Sequence, residues 1–433
     1  MRAKLNSFET GTPIVYASFD RFPSAKGAAT HIDAFIRALG SEFGDVHLLT
    51  VPSELREIIS RASANRFAPN ISDDAEWSAK GVMHHPMLSR GAHLFERVDC
   101  FRTHCRVWWN TFLERSQKLP IVHVRSIFEG YPIAKRKEYF CRKLIYEVNG
   151  LPSIELKYRY PAVADDPELV RKLTWQEQVC LDAADMIITV SEVNARCLVE
   201  RGVERSRIRI IANGVDEELF RFGAPRPLTP EAVTIEQPLS LLYAGTMSAW
   251  QGVPVAIDAL RLLRRDFPAC LKLVGTVRPR QRRELESLIY NLGLSDAVEI
   301  LDPVPKVELA KLHRQADVIL APLTRNDRNL VQGCCPLKVI EGMASGTPVV
   351  ASDLPVVREL MQPDVEGILV RAGSAKAIKD GILRLIREEG FSRQLSCAAR
   401  SRVEREFTWK QSQAKLIQVY RELLDFEVDS FIK

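Results

Sequence analysis

Twice along this 433-residue chain, short apolar β-branched runs alternate with stretches of helical periodicity, a grammar that leaves few folds open besides parallel sheets covered by helices. The first cycle has strand-like runs at 14–18, 46–50, 121–124, 144–148, 186–190 and 208–211. A loop holding Lys26 and Gly27 leads into a helix expected over 28–39. Residues 52–115 fit the alternation poorly: 72–75 read as a loop and 93–115 as a helix rich in aromatics. Asn213-Gly214-Val215-Asp216 is a turn, and the proline-rich stretch 223–238 reads as an interdomain linker. A second cycle follows, with runs at 239–244, 271–274, 298–301, 318–321, 349–351 and 368–370. The closing pattern, 409–424, is amphipathic and fits a helix packing across both units.

The expected fold class is α/β, with parallel-sheet domains at 1–222 and 239–405, the linker 223–238 between them and a returning helix within 406–433. The length agrees, since a chain of this size divides into two or three domains. With 46% hydrophobic and 27% charged residues it has the composition of a soluble globular protein, and no apolar run approaches the roughly 20 residues of a membrane span. Residues 1–13 lack the apolar core of a signal peptide, so the expected location is the cytoplasm. Nine cysteines without CxxC spacing argue against a disulfide framework and a zinc site. Cys334-Cys335 serve instead as small residues in a crowded turn. A net charge of +5 is too modest to imply nucleic acid.

Residues 328–353 compress a turn, a helix and a strand into one segment, entered from the strand at 317–321. Pro336 suits the first helical position, where its missing N–H would lack a partner anyway, and Gly346 suits the left-handed residue that closes the helix. Lys338 and Glu341, three apart, share one face near the end that carries free N–H groups and the positive pole of the helix dipole. Such an end favours anions: the lysine could meet a diphosphate, and the carboxylate could accept hydrogen bonds from a ribose diol. A bare KxxE pair also serves simply to support an exposed helix, so its surroundings decide. In open parallel sheets ligands sit beyond the carboxyl ends of the strands. Gly27, Gly245, Thr246, Gly252 and Gly275 all follow strands on that edge, although each glycine by itself also fits a turn.

The Gly27 loop, IIANGVDEELF before the linker, YAGTMSAWQGV after it, VEILDPVP and above all PLKVIEGMASGTPVVAS resemble the family 4 (group 1) retaining glycosyltransferases over most of the chain. That family has the GT-B architecture, two Rossmann-like domains facing each other. The resemblance implies transfer of a sugar from a nucleotide diphosphate-sugar to an acceptor hydroxyl, in glycan, polysaccharide or glycoconjugate biosynthesis. It makes Glu341 the ligand of the donor ribose and places the base at backbone groups near Val304 and Leu337. Many members carry a basic pair where this chain has Thr246 and Gln251, a second carboxylate where it has Gly333, and a histidine where it has Asn149. Neutralising the donor diphosphate then falls to Lys338, Arg325 or Arg328, helped by N–H groups around Pro336 and by hydrogen bonds from Thr246 and Gln251. No metal is implied, because side chains and helix dipoles balance the charge in this architecture. HExxH, GxSxG and P-loop motifs do not occur, and His84-His85 lack companions at metal spacing. Two other readings share the architecture: a non-catalytic nucleotide-sugar-binding protein and a nucleotide-sugar epimerase. Product analysis separates all three.

The acceptor, whether glycan, lipid-linked or small molecule, is expected on the first domain, near Gly27, His123, Arg125, Glu129, Glu147 and Asn149. His123 also reads as a core residue with backbone partners, which leaves Arg125 the better acceptor-side candidate. Lys135-Arg136-Lys137 and Arg142-Lys143, beside Tyr139 and Phe140, read either as a solvated charged face or as a basic helix in peripheral contact with the anionic inner face of a membrane.

Overall fold

Val15, Ala17, Val122 and Val124 face one side of the first sheet while Ile14, Tyr16 and Ile121 face the other, and all are buried. Successive strand residues point to opposite faces, so a sheet apolar on both must be covered on both. The computed structural model, which describes residues 12–24, 26–52, 77–116, 119–161 and 166–428, provides that cover with helices. The loop expected at 72–75 and the N-terminal residues 1–11 lie outside the described residues.

The first sheet contains β1 (Ile14–Arg21), β2 (Val46–Val51), β3 (Val82–Pro86), β4 (Ile121–Val124), β5 (Lys143–Val148), β6 (Met186–Thr189) and β7 (Ile208–Ile210), in the order β3-β2-β1-β4-β5-β6-β7. The second contains β8 (Leu239–Ala244), β9 (Ala269–Val274), β10 (Val298–Leu301), β11 (Val318–Ala321), β12 (Val349–Ser352) and β13 (Ile368–Val370), in the order β10-β9-β8-β11-β12-β13. Every neighbouring pair is parallel. Both orders reverse beside their first strand, which makes each domain Rossmann-like and opens a ligand crevice at the β1/β4 and β8/β11 switch points. The expected α/β class with two parallel-sheet domains is the observed one. Strand β3, inside the stretch that fitted the alternation poorly, is an additional element, and the aromatic helix there runs Leu94–Arg115.

The proline-rich stretch after Gly223 is not a free tether. Leu228 and Val233 enter the core of the second domain, and the Arg226 guanidinium grips Asp317 through two hydrogen bonds of 2.5 and 2.9 Å. Near the other end, Ala399 and Val403 of the helix Phe391–Glu406 pack on the second domain. The next helix, Trp409–Val428, lays Leu416, Val419, Tyr420 and Leu423 against Ile14, Tyr16 and Ile121 of the first. The chain thus crosses between domains twice, and the crossings touch. The N–H of Val215 donates to the Phe407 carbonyl at 2.8 Å and that of Trp409 to the Val215 carbonyl at 3.2 Å. Among the described residues, no helix is long and apolar enough to cross a membrane.

Candidate active site

The helix Leu337–Ser345 begins where β11 points, with Pro336 as its N-cap (φ −73°, ψ 105°) and no side chain capping its first turn. Pro336 therefore stands one residue earlier than its expected first helical position. Gly346 closes the helix at φ 80°, as its sequence position indicated. Lys338 is buried. Its ammonium donates to the Tyr243 hydroxyl at 3.1 Å and to the side-chain oxygen of Gln251, and it lies 4.2 Å from the centroid of the Tyr243 ring. Burial lowers its pKa to about 7. Glu341, mostly buried, moves the opposite way: desolvation raises its carboxyl to about 7, against the opposing pull of Lys306 and Lys338. His313 lies wholly inside, its Nε2 3.9 Å from Glu341 Oε2 and neither ring nitrogen hydrogen-bonded.

Two loops complete this wall. Gly245 and Gly275, at φ 143° and 140°, end β8 and β9 so closely that a Cβ on Gly275 would sit 2.0 Å from the Gly245 carbonyl oxygen. Only a residue without Cβ fits there. Thr246 is exposed, and its carbonyl accepts from Tyr243 at 2.5 Å. Gln251 spends its oxygen on Lys338, so the amide acts first as the lysine's acceptor rather than as a donor to a ligand. Gly252, at φ 72°, precedes the helix Val253–Leu263, and Val304 is half-buried in the turn after β10.

Across the crevice lies the first domain. A Cβ on Gly27 would be 3.0 Å from Leu337 Cδ1, so the Gly27 loop meets the start of the Lys338 helix directly. Glu147, fully buried at the end of β5, gathers the neighbouring polar groups. Tyr16 donates to it at 2.8 Å, His123 Nε2 lies at 3.0 Å, Arg125 Nε donates at 3.0 Å, and the Asn149 amide donates as well. His31 Nε2 stands 2.9 Å from Oε1, the oxygen that Arg125 and Asn149 also use. Burial would raise the Glu147 pKa, but His31, Arg125 and the hydrogen bond from His123 hold it well below the usual carboxylate range. From His31 the contacts pass to the Asn213 side chain at 2.9 Å, whose amide donates to the Cys335 carbonyl at 2.9 Å, immediately before Pro336.

This placement corrects several expectations. His123 does not face an acceptor; it is sealed between Glu147 and Tyr420 of the C-terminal helix, 2.9 Å away, and burial depresses its pKa. Arg125 is largely committed to Glu147 and to Asp20, 2.7 Å away. Glu129 caps its own helix by accepting from the N–H groups of Arg125 and Ser126. Arg328, expected to help neutralise a diphosphate, is instead engaged within the protein: it donates to Glu155 of the first domain at 3.0 Å and lies 5.0 Å from the Trp250 ring centroid. Arg325 is exposed and forms no hydrogen bond or ion pair with the described residues. Gly333, at φ 85°, presses on the first domain, where a Cβ would lie 2.6 Å from the Asn194 nitrogen. The position where the family resemblance led to the expectation of a carboxylate is a close interdomain contact here. The basic segment near Tyr139 is one helical turn, Lys137–Phe140, with Lys137 paired to Asp185 at 2.7 Å; it is not an amphipathic helix. His84 and His85 bond to Thr50 and His47, and among the described residues no group of three or more His, Cys, Asp and Glu side chains is arranged to hold a metal ion. Cys334 and Cys335 are buried free thiols. Tyr243, His31 and His313 were not legible in the sequence, because the site groups they meet, Lys338, Glu147 and Glu341, lie 95, 116 and 28 positions away; a polar ring late in the mostly aliphatic β8 was the one available signal.

Two Rossmann-like domains with parallel sheets, joined by a chain that crosses between them twice, are the GT-B architecture. Residues 25–219 match Glycosyltransferase Family 4 and residues 238–388 match Glycosyl transferases group 1; the chain belongs to this glycosyltransferase family. It is 30% identical over 267 residues to a D-inositol 3-phosphate glycosyltransferase of Xylanimonas cellulosilytica, a stretch covering 60% of this chain and 62% of that relative. It is 27% identical over 240 residues to the amylovoran biosynthesis glycosyltransferase AmsK of Erwinia amylovora, covering 55% and 56%. These curated relatives are thus matched over less than two thirds of their length. In fold, the sucrose-phosphate synthase of Thermosynechococcus elongatus superposes with a TM-score of 0.75 at 21% identity, covering 96% of this chain and 99% of that one.

Proposed function

We propose that the protein is a retaining glycosyltransferase that moves a sugar from a nucleotide diphosphate-sugar, held by residues 239–405, to an acceptor hydroxyl presented by residues 1–222. The observation that carries this reading is the pairing of Lys338 and Glu341 one turn apart at the uncapped start of the helix Leu337–Ser345, at the carboxyl end of the second sheet. Glu341 accepts hydrogen bonds from the ribose diol, and the base lies against the backbone near Val304 and Leu337. As the sugar C1–O bond breaks, charge builds on the leaving diphosphate, and preorganised donors accelerate the step to the extent that they hold that charge more tightly than the intact donor. Lys338 fits this role because its ground-state partners, Tyr243 and Gln251, are neutral. The N–H groups at the helix start add a fixed positive field. No side chain is assigned as a nucleophile.

The names of the two curated relatives support a role in glycoconjugate or polysaccharide biosynthesis. A cytoplasmic setting with peripheral contact to an anionic membrane is part of the same proposal, Tyr139 standing half exposed beside Arg136. The deciding experiment is a screen of nucleotide-sugars for binding and turnover, followed by NMR of the product's anomeric centre. Transfer with the donor's anomeric configuration kept is expected. Inverted product would remove the retaining mechanism, an altered but untransferred sugar would mark an epimerase, and binding without turnover across acceptors would mark a binding protein.

A further inference from the structure

His313, near the end of the helix Lys306–Gln315, is fully buried, and neither of its ring nitrogens has a hydrogen-bond partner. Its surroundings hold the residue without using those nitrogens. Thr347 donates to its carbonyl at 2.6 Å, and Phe220 meets its ring edge-to-face, the centroids 5.4 Å apart at 87°. A phenyl ring would satisfy the same packing, whereas a buried polar group left unpaired is costly and calls for a reason. Among the described residues the carboxylate that His313 approaches is that of Glu341, Nε2 to Oε2 at 3.9 Å. That is about 1 Å beyond a charge-assisted hydrogen bond, a gap that rotation within the Glu341 side chain closes. Glu341 has no hydrogen-bond donor among the described residues, and its side chain is 17% exposed, so a ligand can reach it. The histidine stands on the protein side of the carboxylate and the ligand would stand on the other.

We propose that His313 is a positioning residue for Glu341: when the donor's ribose is bound, its Nε2–H donates to Oε2 and holds the carboxylate ionised and aimed at the diol. The inference rests on the reading of Glu341 as the ribose ligand. Burial pushes the imidazole pKa down to about 3, so the ring is neutral and carries a single N–H, which on Nε2 favours the ionised form of the carboxyl that desolvation opposes. Anchoring one oxygen leaves the other for the ribose hydroxyls. The charges of Lys306 and Lys338 also favour the carboxylate, but neither donates a hydrogen bond to it, and Lys338 is committed to Tyr243 and Gln251. His313 therefore supplies the directional contact.

The test is calorimetric titration of the full chain with whichever of UDP, GDP or ADP binds most tightly, beside thermal unfolding without nucleotide. The wild type is compared with His313→Phe, His313→Gln, Glu341→Ala and the double variant His313→Phe/Glu341→Ala; His313→Leu replaces the phenylalanine variant should that one not fold. His313→Phe is expected to weaken binding about tenfold while leaving the nucleotide-free protein at least as stable as the wild type, because a buried unpaired imidazole is lost. A residue with a purely structural role would lose stability instead. His313→Gln, which keeps an N–H donor near the place of Nε2, should recover most of the affinity, and the histidine change should add nothing once Glu341 is alanine. Wild-type affinity in His313→Phe, or a tenfold loss that persists without Glu341, overturns the role. Glu341→Ala binding as tightly as the wild type would strike the ribose reading and this role with it, whereas wild-type binding confined to the His313 variants strikes the role alone.

Discussion

The ammonium of Lys338 is 3.1 Å from the hydroxyl of Tyr243 and sits over the ring of the same residue. A buried cation held by neutral groups keeps its electrostatic capacity for an incoming anion, at the cost of a pKa lowered to about 7 by desolvation. Lys338→Met should therefore cut kcat by on the order of 10²–10³ while changing donor affinity less, because the lost interaction grows as the diphosphate departs. Helix propensity is nearly conserved. Steady-state kinetics on this variant and on Arg325→Ala assigns the role; near-normal turnover in the first with a large loss in the second would move it to the exposed arginine.

The two groups with pKa near 7 set opposite requirements. In the proposed roles Glu341 would accept from the ribose best when ionised, above about pH 7, and Lys338 would serve when protonated, below about pH 7. The expected kcat/KM profile is a narrow bell centred near neutrality, its limbs belonging to the pair as coupled titrations do. Glu341→Gln should abolish the acid limb, and Glu341→Ala should weaken nucleoside diphosphate binding by about 1.5–3 kcal/mol. An acid limb unchanged in the glutamine variant would belong to another group.

Glu147 is a matter of stability. Its folded-state pKa is depressed, so its contribution is present above the unfolded value and fades as the pH falls through the folded one. Glu147→Gln leaves Arg125 short of its buried counter-ion, and breaking such a pair costs about 3–5 kcal/mol. Denaturant unfolding at pH 7 should show a loss of that order, shrinking in acid. A variant as stable as wild type at pH 7 would contradict the hub.

Placing a carboxylate at position 333, where the family resemblance would put one, should harm this chain. Gly333→Asp places a Cβ against the Asn194 nitrogen at a positive φ, and the strain should cost about 1–3 kcal/mol. Improved donor affinity with undiminished stability would show that the two domains separate there.

Turnover should survive excess EDTA, since the proposed leaving-group chemistry draws its positive charge from Lys338 and the helix start. Complete loss restored by Mg²⁺ or Mn²⁺ would contradict it.

Strands were legible wherever a sheet neighbour buries both faces. Ile121–Val124 and Val318–Ala321 are aliphatic apart from His123 and occupy their expected positions. Val82–Pro86 was not, because an edge strand with two histidines, half-buried apart from the exposed Met83, carries neither a continuous apolar run nor a clean alternation. In the site, spacing within one helix revealed Lys338 and Glu341. It could not reveal that Arg328 closes on Glu155, 173 positions away, or that His123 lies beneath Tyr420. Those facts belong to tertiary pairing, which local pattern does not encode.

The touching crossings, where Val215 is bridged to Phe407 and Trp409, bear on how the cleft can work. Two chain segments passing side by side between rigid bodies behave as the pin of a door rather than as a tether: they favour rotation about one line and resist sliding or twisting apart. Because the second segment ends in a helix docked on the first domain, removing the tail after Phe407 would leave a single connection between the domains. The Gly27 loop would then meet Leu337 by diffusion, no longer along a guided arc.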